Sequence, residues 1–300
     1  MEDIQHIPVL FNETIEALSL ESGDTVVDGT LGGGGHARGI CALIAAEGTF
    51  IGIDRDSTAI TIAKEHLKDA SCTKHFVNDN ARNLDSILDS LEIHAIDAMV
   101  LDLGWSSMQI SQEGRGLSFM RDEPLAMTLD PHPAEDALTA REIVNEWEEE
   151  NIADIIYGYG EERYGRRIAR AICERREEKE IATTGELVDI ILGAVPKSYQ
   201  HGRIHPATRT FQALRIAVND ELGSAKEAIE KGVKALRKGG RIAIISFHSI
   251  EDRMVKRTLK ALSEEEVVSL PIKKPIIPTE EEIENNPRAR SAKLRIAQKI

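Results

Sequence analysis

The sequence predicts an α/β fold, a doubly wound, mostly parallel sheet interrupted by an all-helical insertion. Three observations carry that prediction. Short apolar strands alternate with helical stretches up to Gly104. The first strand runs into four consecutive glycines, Gly32 to Gly35, and then into a helix. The alternation stops over residues 111–215 and resumes with an apolar strand at 241–246.

The elements follow in order. His6 to Leu10 reads as an extended arm, and Asn12 suits the cap of a helix over 13–18. Val26 and Val27 end a strand after the turn Ser22-Gly23-Asp24, and residues 37–46 read as helix. Glycines cost backbone entropy, so a plain turn has no use for so many. Between strand and helix they let the backbone approach a ligand and aim amides at it from a helix N-terminus. The next strand, 49–53, ends in Asp54. A carboxylate about 20 residues past such a loop is where ribose hydroxyls are held. Loop and carboxylate together point to an adenosine-type cofactor.

Asp56 can cap a helix over 57–68, and residues 74–77 form a third strand. Its polar exit, Asn78-Asp79-Asn80-Ala81, suits an adenine amine and equally suits an ordinary turn. A helix ends at 87–91. The fourth strand, 95–101, stops at Asp102-Leu103-Gly104-Trp105-Ser106-Ser107. Asp28, Asp54, Asp79 and Asp102 thus fall at or just past strand ends, where ligands bind in such sheets.

Residues 1–110 and 216–300 are expected to form the sheet domain, and 111–215 the insertion. Residues 115–133 are loop-like, with Gly116, Pro124, Pro131 and Pro133. Thr139 with Glu142, and Thr183 with Glu186, are capping boxes. A helix over 162–176 would set Arg163, Arg166, Arg167 and Arg170 on one face. That face is either a phosphate-facing stripe or a solvated one paired to Glu161, Glu162 and Glu174. A helix over 207–219 carries Arg209 and Arg215, and one over 224–236 ends at a Gly239-Gly240 cap. The fifth strand, 241–246, exits at Phe247-His248-Ser249, and a helix over 251–262 follows. Residues 267–270 and 293–296 suit the last two strands. From Pro287 onward come Arg288, Arg290, Lys293, Arg295 and Lys299 with no acid, a tail fit for phosphate or simply solvated.

Composition narrows the function classes. A net charge of −14 argues against broad, non-specific nucleic-acid binding, leaving room for a local basic site. Hydrophobic content of 41% is ample for a core. No run reaches membrane-span length, and the acidic start Met1-Glu2-Asp3 lacks a signal peptide. Cys41, Cys72 and Cys173 are far apart in sequence, without metal spacing or an obvious pairing. They read as buried thiols of a cytoplasmic protein, and no metal site is expected.

Several longer blocks carry a resemblance. They are Gly34-Gly35-His36; Asp102-Leu103-Gly104 with Ser106, Ser107 and Gln109; and Arg115-Gly116 with Ser118 to Asp122. Glu162-Arg163-Tyr164 with Arg166 to Ala169, and His205 to Arg215, follow. Ser246 to Ser249 with Glu251 to Arg253, and Asn286 to Arg288 with Arg290 to Arg295, complete the series. In order and over nearly the whole chain, they resemble the bacterial small-subunit ribosomal RNA (cytosine-N4)-methyltransferases. The resemblance implies a class I, Rossmann-like methyltransferase core with a helical substrate-recognition domain. It implies S-adenosylmethionine as donor and a decoding-region cytidine as target, in RNA of an assembled small subunit. A homodimer is compatible with it. Gly34, Gly35, His36, Asp54, Ala81, Asp102 and Gln109 would contact the cofactor. Arg163, Arg166, Arg167, Arg170, Arg209, Arg288, Arg290 and Lys293 would contact RNA. The chain departs from the family at Trp105, where a small aliphatic residue is usual, and at Met108, where proline is usual. Ala81 stands where an aromatic is expected against adenine, and the segment before Asn286 is short.

Methyl transfer from a sulfonium is an in-line displacement, so catalysis rests mainly on positioning. The delocalised N4 of cytosine needs an acceptor for one of its hydrogens. Ser106, Ser107 or a carbonyl near Gly104 suits that task, with Asp102 first a cofactor ligand and secondly an acceptor. Trp105 suits stacking on a flipped base or packing on the insertion. Methylation at carbon C5 needs a cysteine nucleophile, and none stands at a strand end. His248 suits a contact with base or phosphate, or a structural role. His36 suits a cofactor contact or the ordering of its loop. A nicotinamide oxidoreductase, a small-molecule methyltransferase and a non-catalytic ribosome-assembly factor remain as alternative readings.

Overall fold

The computed structural model describes residues 8–104 and 114–300. Two compact units emerge, Met1–Ser106 with Leu222–Ile300, and Ser107–Glu221. Trp105, Ser106, Ser107, Met108 and Gln109 lie outside the described residues.

The first unit opens with α1 (Phe11–Leu18). Its cap is Leu10, in the left-handed region with φ 52°, and no side chain caps it. Asn12 lies within the helix instead of capping it. Then come β1 (Thr25–Asp28), α2 (Gly35–Ile44), β2 (Thr49–Asp54), α3 (Ser57–His66), β3 (Thr73–Asn78), α4 (Leu84–Ser90) and β4 (Ile96–Asp102). Each strand ends in the polar residue at which the apolar run breaks. Asp56 caps α3 as expected, its Oδ1 accepting from the Thr58 amide at 2.8 Å.

The second unit holds α5 (Ala140–Glu146), α6 (Glu149–Gly160), α7 (Gly165–Glu178), α8 (Thr184–Ala194), α9 (Lys197–Gln200) and α10 (Ala207–Asn219). Both capping boxes form, at Thr139 and at Thr183. α6 packs on α7 and on α10, burying Ile152, Ile156, Ile168, Ile172 and Leu214. Among its described residues the extended pairing is a single bridge, Pro124 to Thr183. One expectation fails here. The helix begins at Gly165, so Arg163 precedes it and does not share a helical face with Arg166, Arg167 and Arg170. Glu161 explains the break: at the end of α6 it is left-handed, φ 50°, and turns the chain.

The first unit resumes with α11 (Glu221–Ala235), β5 (Leu236–Ser246), α12 (Ser249–Glu264), β6 (Val268–Ser269), α13 (Glu280–Asn285) and β7 (Lys293–Lys299). Gly239 and Gly240 do not cap α11; they sit inside β5. Gly239 takes φ 84°, and the register against β4 shifts between Ile96 and Ala98. The basic C-terminal stretch is no fraying tail either. β7 is an inner strand, antiparallel to both β5 and β6.

The strand order is β3-β2-β1-β4-β5-β7-β6, parallel from β3 through β5. Alternate residues feed two cores, one on each face. Val26, Phe50, Val100 and Ile245 join α2 and α3 on one face. Val27, Ile51, Leu101 and Ile244 join α4, α11 and α12 on the other. With both faces covered, polar groups are left at the strand ends. Among the described residues no helix is long and apolar enough to cross a membrane.

Candidate functional site

The carboxyl ends of β1, β2 and β4 bring three carboxylates, Asp28, Asp54 and Asp102, to one edge of the sheet. β1 is the middle strand of the three, paired to β2 on one side and β4 on the other. Asp28 is buried, and its Oδ1 accepts from the Thr30 amide at 3.1 Å. Thr30 in turn offers its hydroxyl oxygen to the Asp102 amide at 2.6 Å, tying the loop after β1 to the end of β4. Gly104 donates to Asp102 Oδ1 at 3.2 Å.

Crowding acid groups in a dry place raises their pKa values. Burial pushes Asp28 up to about 7, against the Thr30 amide, with Asp102 and Asp54 adding to the rise. Burial likewise pushes Asp102 up to about 7, against the Gly104 amide, with Glu251 adding. Burial raises Asp54 too, and the Asp56 and Gly32 amides oppose it.

The glycine loop is held from below. Gly32 donates to Asp54 Oδ2 at 2.8 Å, and Asp56 donates to Asp54 Oδ1 at 2.8 Å. Gly34 takes φ 81° as the residue before α2, a conformation that glycine adopts without strain. His36 is buried in the first turn of α2. Its Nε2 donates to the Val9 carbonyl at 3.1 Å, which leaves Nδ1 facing Asp102 Oδ2 at 3.9 Å. Ala81 is buried at the start of a short 3-10 turn, Ala81–Asn83. Asn78 ties the end of β3 to that of β2, donating to the Asp54 and Arg55 carbonyls at 2.9 and 3.0 Å.

The sequence-predicted residues Gly34, Gly35, His36, Asp54, Ala81 and Asp102 therefore gather at one end of the sheet. His248, Arg290 and Lys293 line a cavity of about 300 Å³ with Phe247, Ile277 and Pro278, just past the end of β5, the parallel neighbour of β4. His248 also caps α12: its Nδ1 accepts from the Glu251 amide at 3.3 Å. Glu251 is buried beneath it, 3.0 Å from His248 Nε2, and accepts from the Phe247 amide at 2.8 Å. Lys293 and Arg295 both pair with Asp252, at 3.0 and 2.7 Å. Arg290 and Arg288 are exposed. In the helical unit Arg170 approaches Glu149 at 3.7 Å, and Arg209 donates to the Glu161 carbonyl at 3.3 Å.

Sequence reasoning gave no role to Thr30, Glu251 or Tyr199. Thr30 carried a signal, being the polar residue two after a strand-end aspartate. It also missed one proximity: Cys41 and Cys72, which looked unrelated, are buried neighbours, and burial pushes the Cys41 thiol well up. Among the described residues no three His, Cys, Asp or Glu side chains are grouped to hold a metal ion.

A glycine loop over converging carboxylates suits a ligand with hydroxyls and a positive centre. The model of the MraW methylase family matches residues 3–300. The chain belongs to that family. It is accordingly an enzyme, a methyltransferase with the mixed α/β core described above. Its relatives match at full length. The ribosomal RNA small subunit methyltransferase H of Clostridium botulinum (strain Kyoto / Type A2) is 45% identical over 313 residues, covering 99% of this chain and all of that protein. The protein of the same name from Geotalea uraniireducens is 46% identical over 315 residues, covering both chains fully. A crystal structure from Streptococcus mutans, in complex with SAH, aligns with TM-score 0.48 and 12% identity, covering 98% of this chain and 99% of that one.

Proposed function

We propose that this enzyme methylates the exocyclic N4 of a cytidine in the decoding region of small-subunit ribosomal RNA. S-adenosylmethionine is the methyl donor, and when bound it supplies an electrophilic methyl carbon. The observation that carries the reading is the Asp28, Asp54 and Asp102 edge within a chain matched end to end by relatives of that name. The residues present fit the donor. Asp54 keeps lone pairs free beyond its two amide bonds and would accept from ribose hydroxyls. Asp28 and Asp102, raised by burial, would be drawn to the charged form beside a cation.

The chain's own residues then orient and hold protons. Gly34 and Gly35 carry the loop, and His36 faces Asp102 across 3.9 Å. Ser106 and Ser107 would accept from the N4 amine beside Asp102, Gln109 would complete the donor contacts, and Trp105 would stack on the base. His248 would face the RNA from the cavity it shares with Arg290 and Lys293. Arg163, Arg166, Arg167, Arg170, Arg209 and Arg288 would supply further phosphate contacts.

Attack by nitrogen over carbon C5 has its own support. Cys72 precedes the start of β3, at the opposite end of the sheet from Asp54, and Cys41 sits against it. Cys173 lies on α7, and burial raises its thiol. Neither Cys41 nor Cys72 therefore stands at the strand end that carries Asp102.

The helical unit would recognise RNA within an assembled subunit, in the cytoplasm, and the enzyme would work there as a monomer or homodimer. The test is a labelled donor incubated with undermethylated small subunits and with free RNA, then mass mapping of the modified base. Methyl on cytidine N4 in the subunit is the expected result. Methyl on carbon C5, on ribose or on a small molecule would overturn the reading.

A further inference from the structure

The turn between α6 and α7 holds an arginine in an unusual setting. The Arg163 guanidinium lies 4.8 Å from the centroid of the Tyr164 ring and 4.9 Å from that of Tyr199. The two rings meet edge to face, 4.9 Å apart. Tyr199 is fixed in turn: its hydroxyl donates to Glu162 Oε2 at 2.6 Å. Glu162 is fully buried, and its Oε1 accepts from the Tyr164 amide at 2.9 Å. One buried carboxylate therefore positions both rings, and the rings position the arginine. Arg167 joins from α7, 5.8 Å over the Tyr164 ring.

Other arginines of this unit are spoken for. Arg215 is buried and paired bidentately with Glu221, Arg176 donates to the Val144 and Trp147 carbonyls, and Arg170 approaches Glu149. Arg163, Arg166 and Arg167 are exposed and make no ion pair among the described residues. They also stand at the wrong end of a helix. The first turn of α7 has no acid, and cations there oppose the helix dipole. Fold stability does not account for that placement; an anion brought to the three guanidinium groups does. A guanidinium resting on aromatic rings keeps its N–H edge outward, and that planar fork matches phosphate oxygens. Rings fix its orientation without neutralising it, as a carboxylate partner would.

We propose that Arg163, set by Tyr164 and Tyr199 and joined by Arg167, is a built clamp for a phosphodiester of an unpaired RNA strand. The assignment rests on the ribosomal RNA reading above and deepens it. Glu162 and Tyr199 are its positioning residues. The preset orientation removes much of the entropy that an exposed arginine loses on binding. Lysine at position 163 would carry the charge without the fork.

The experiment uses the full chain and a labelled single-stranded oligoribonucleotide of small-subunit sequence, followed by fluorescence anisotropy across a salt series. Arg163→Gln is expected to weaken binding about tenfold and to flatten the salt slope by about one phosphate contact. Arg163→Lys should fall nearly as far, because the fork and not the charge alone makes the contact. Tyr199→Phe keeps both rings, releases the bond to Glu162 and should lose affinity in the same direction. Donor affinity by calorimetry should stay unchanged in all three, and Arg163→Lys touches no buried group, so its result does not depend on the fold. Should both Arg163 variants bind RNA like the parent while Arg290→Gln loses affinity, the clamp is overturned and the ribosomal RNA reading stands. Should none of the variants change RNA binding, both fall. Retention of an acidic peptide in preference to RNA would also overturn the clamp.

Discussion

The Gly32 amide donates to Asp54 Oδ2 at 2.8 Å, so the carboxylate ending β2 fastens the glycine loop that follows β1. Asp54 has two tasks at once. It shapes the loop from beneath, and it keeps acceptor capacity toward a ribose. Asp54→Ala removes both and should weaken S-adenosylmethionine binding by roughly 1.5–3 kcal/mol, the range for a hydrogen bond to a charged group. Asp54→Asn keeps the size and one of the two acceptor oxygens, gives up one of the two amide bonds and should lose less. Calorimetry of the two variants checks this, and unchanged affinity in Asp54→Ala would remove Asp54 from the site.

Gly104, just past β4, lies against Phe247, just past β5. A Cβ at Gly104 would stand 2.4 Å from Phe247 Cε2 and 2.8 Å from Cζ. Gly104→Ala must displace the ring or the turn, at a cost of about 1–3 kcal/mol for overpacking. A drop of a few degrees in Tm is expected, with a fall in turnover, since the displaced turn borders Asp102. Pairing it with Phe247→Leu should restore most of the Tm. An additive double mutant would show that the two residues do not compete for space.

The sheet was legible because both of its faces are covered. Val26-Val27, Phe50-Ile51 and Val100-Leu101 send alternate side chains to opposite cores, so each strand reads as an unbroken apolar run ending at a polar residue. The capping boxes at Thr139 and Thr183 were legible for a local reason: side chain and backbone partner lie three residues apart. What escaped depends on partners distant in the chain. Nothing near Arg163 signals that Tyr199 lies beside it, or that Glu161 will end α6 in a left-handed turn. The glycines at 239 and 240 carry the chemistry of a helix stop, yet pairing with β4 draws them into β5. His248 shows why a lone histidine misleads. Its sequence neighbour Glu251 makes it a helix cap, and only the fold adds Arg290 and Lys293 to the same cavity.

That cavity yields a further prediction. Arg290 is exposed, whereas Lys293 is half-buried and shares Asp252 with Arg295. Burial raises Asp252, and Arg295 and Lys293 outweigh it to leave the carboxyl below its ordinary range. Arg290→Gln should therefore weaken RNA binding and flatten its salt dependence without a change in Tm. Lys293→Gln removes one cation from a partly buried carboxylate and should lower Tm as well. Anisotropy and thermal melting of the two variants separate the roles. Equal behaviour in both assays would contradict the division.

Asp28 and Asp102 supply the last prediction, and its sign follows from burial. In the folded apo-protein both acids are lifted from 3.8 to about 7, burial being the main cause. The folded state therefore holds protons that the unfolded state releases between those values. That contribution is fully present below pH 4 and is lost as pH rises through 7, so apo stability should fall across that window. A cation at the site reverses the preference by favouring both carboxylates. Affinity for S-adenosylmethionine should rise as pH climbs through 7, with protons released on binding. S-adenosylhomocysteine lacks the sulfonium charge and should show a weaker rise. His36, 3.9 Å from Asp102, and Asp54 and Glu251 nearby share the same field, so Asp28→Asn is expected to reduce the pH dependence without abolishing it. Calorimetry in two buffers of different ionisation enthalpy counts the protons directly. An affinity for the sulfonium donor that is flat from pH 6 to 8, with no proton release, would show that the two acids do not face the positive centre.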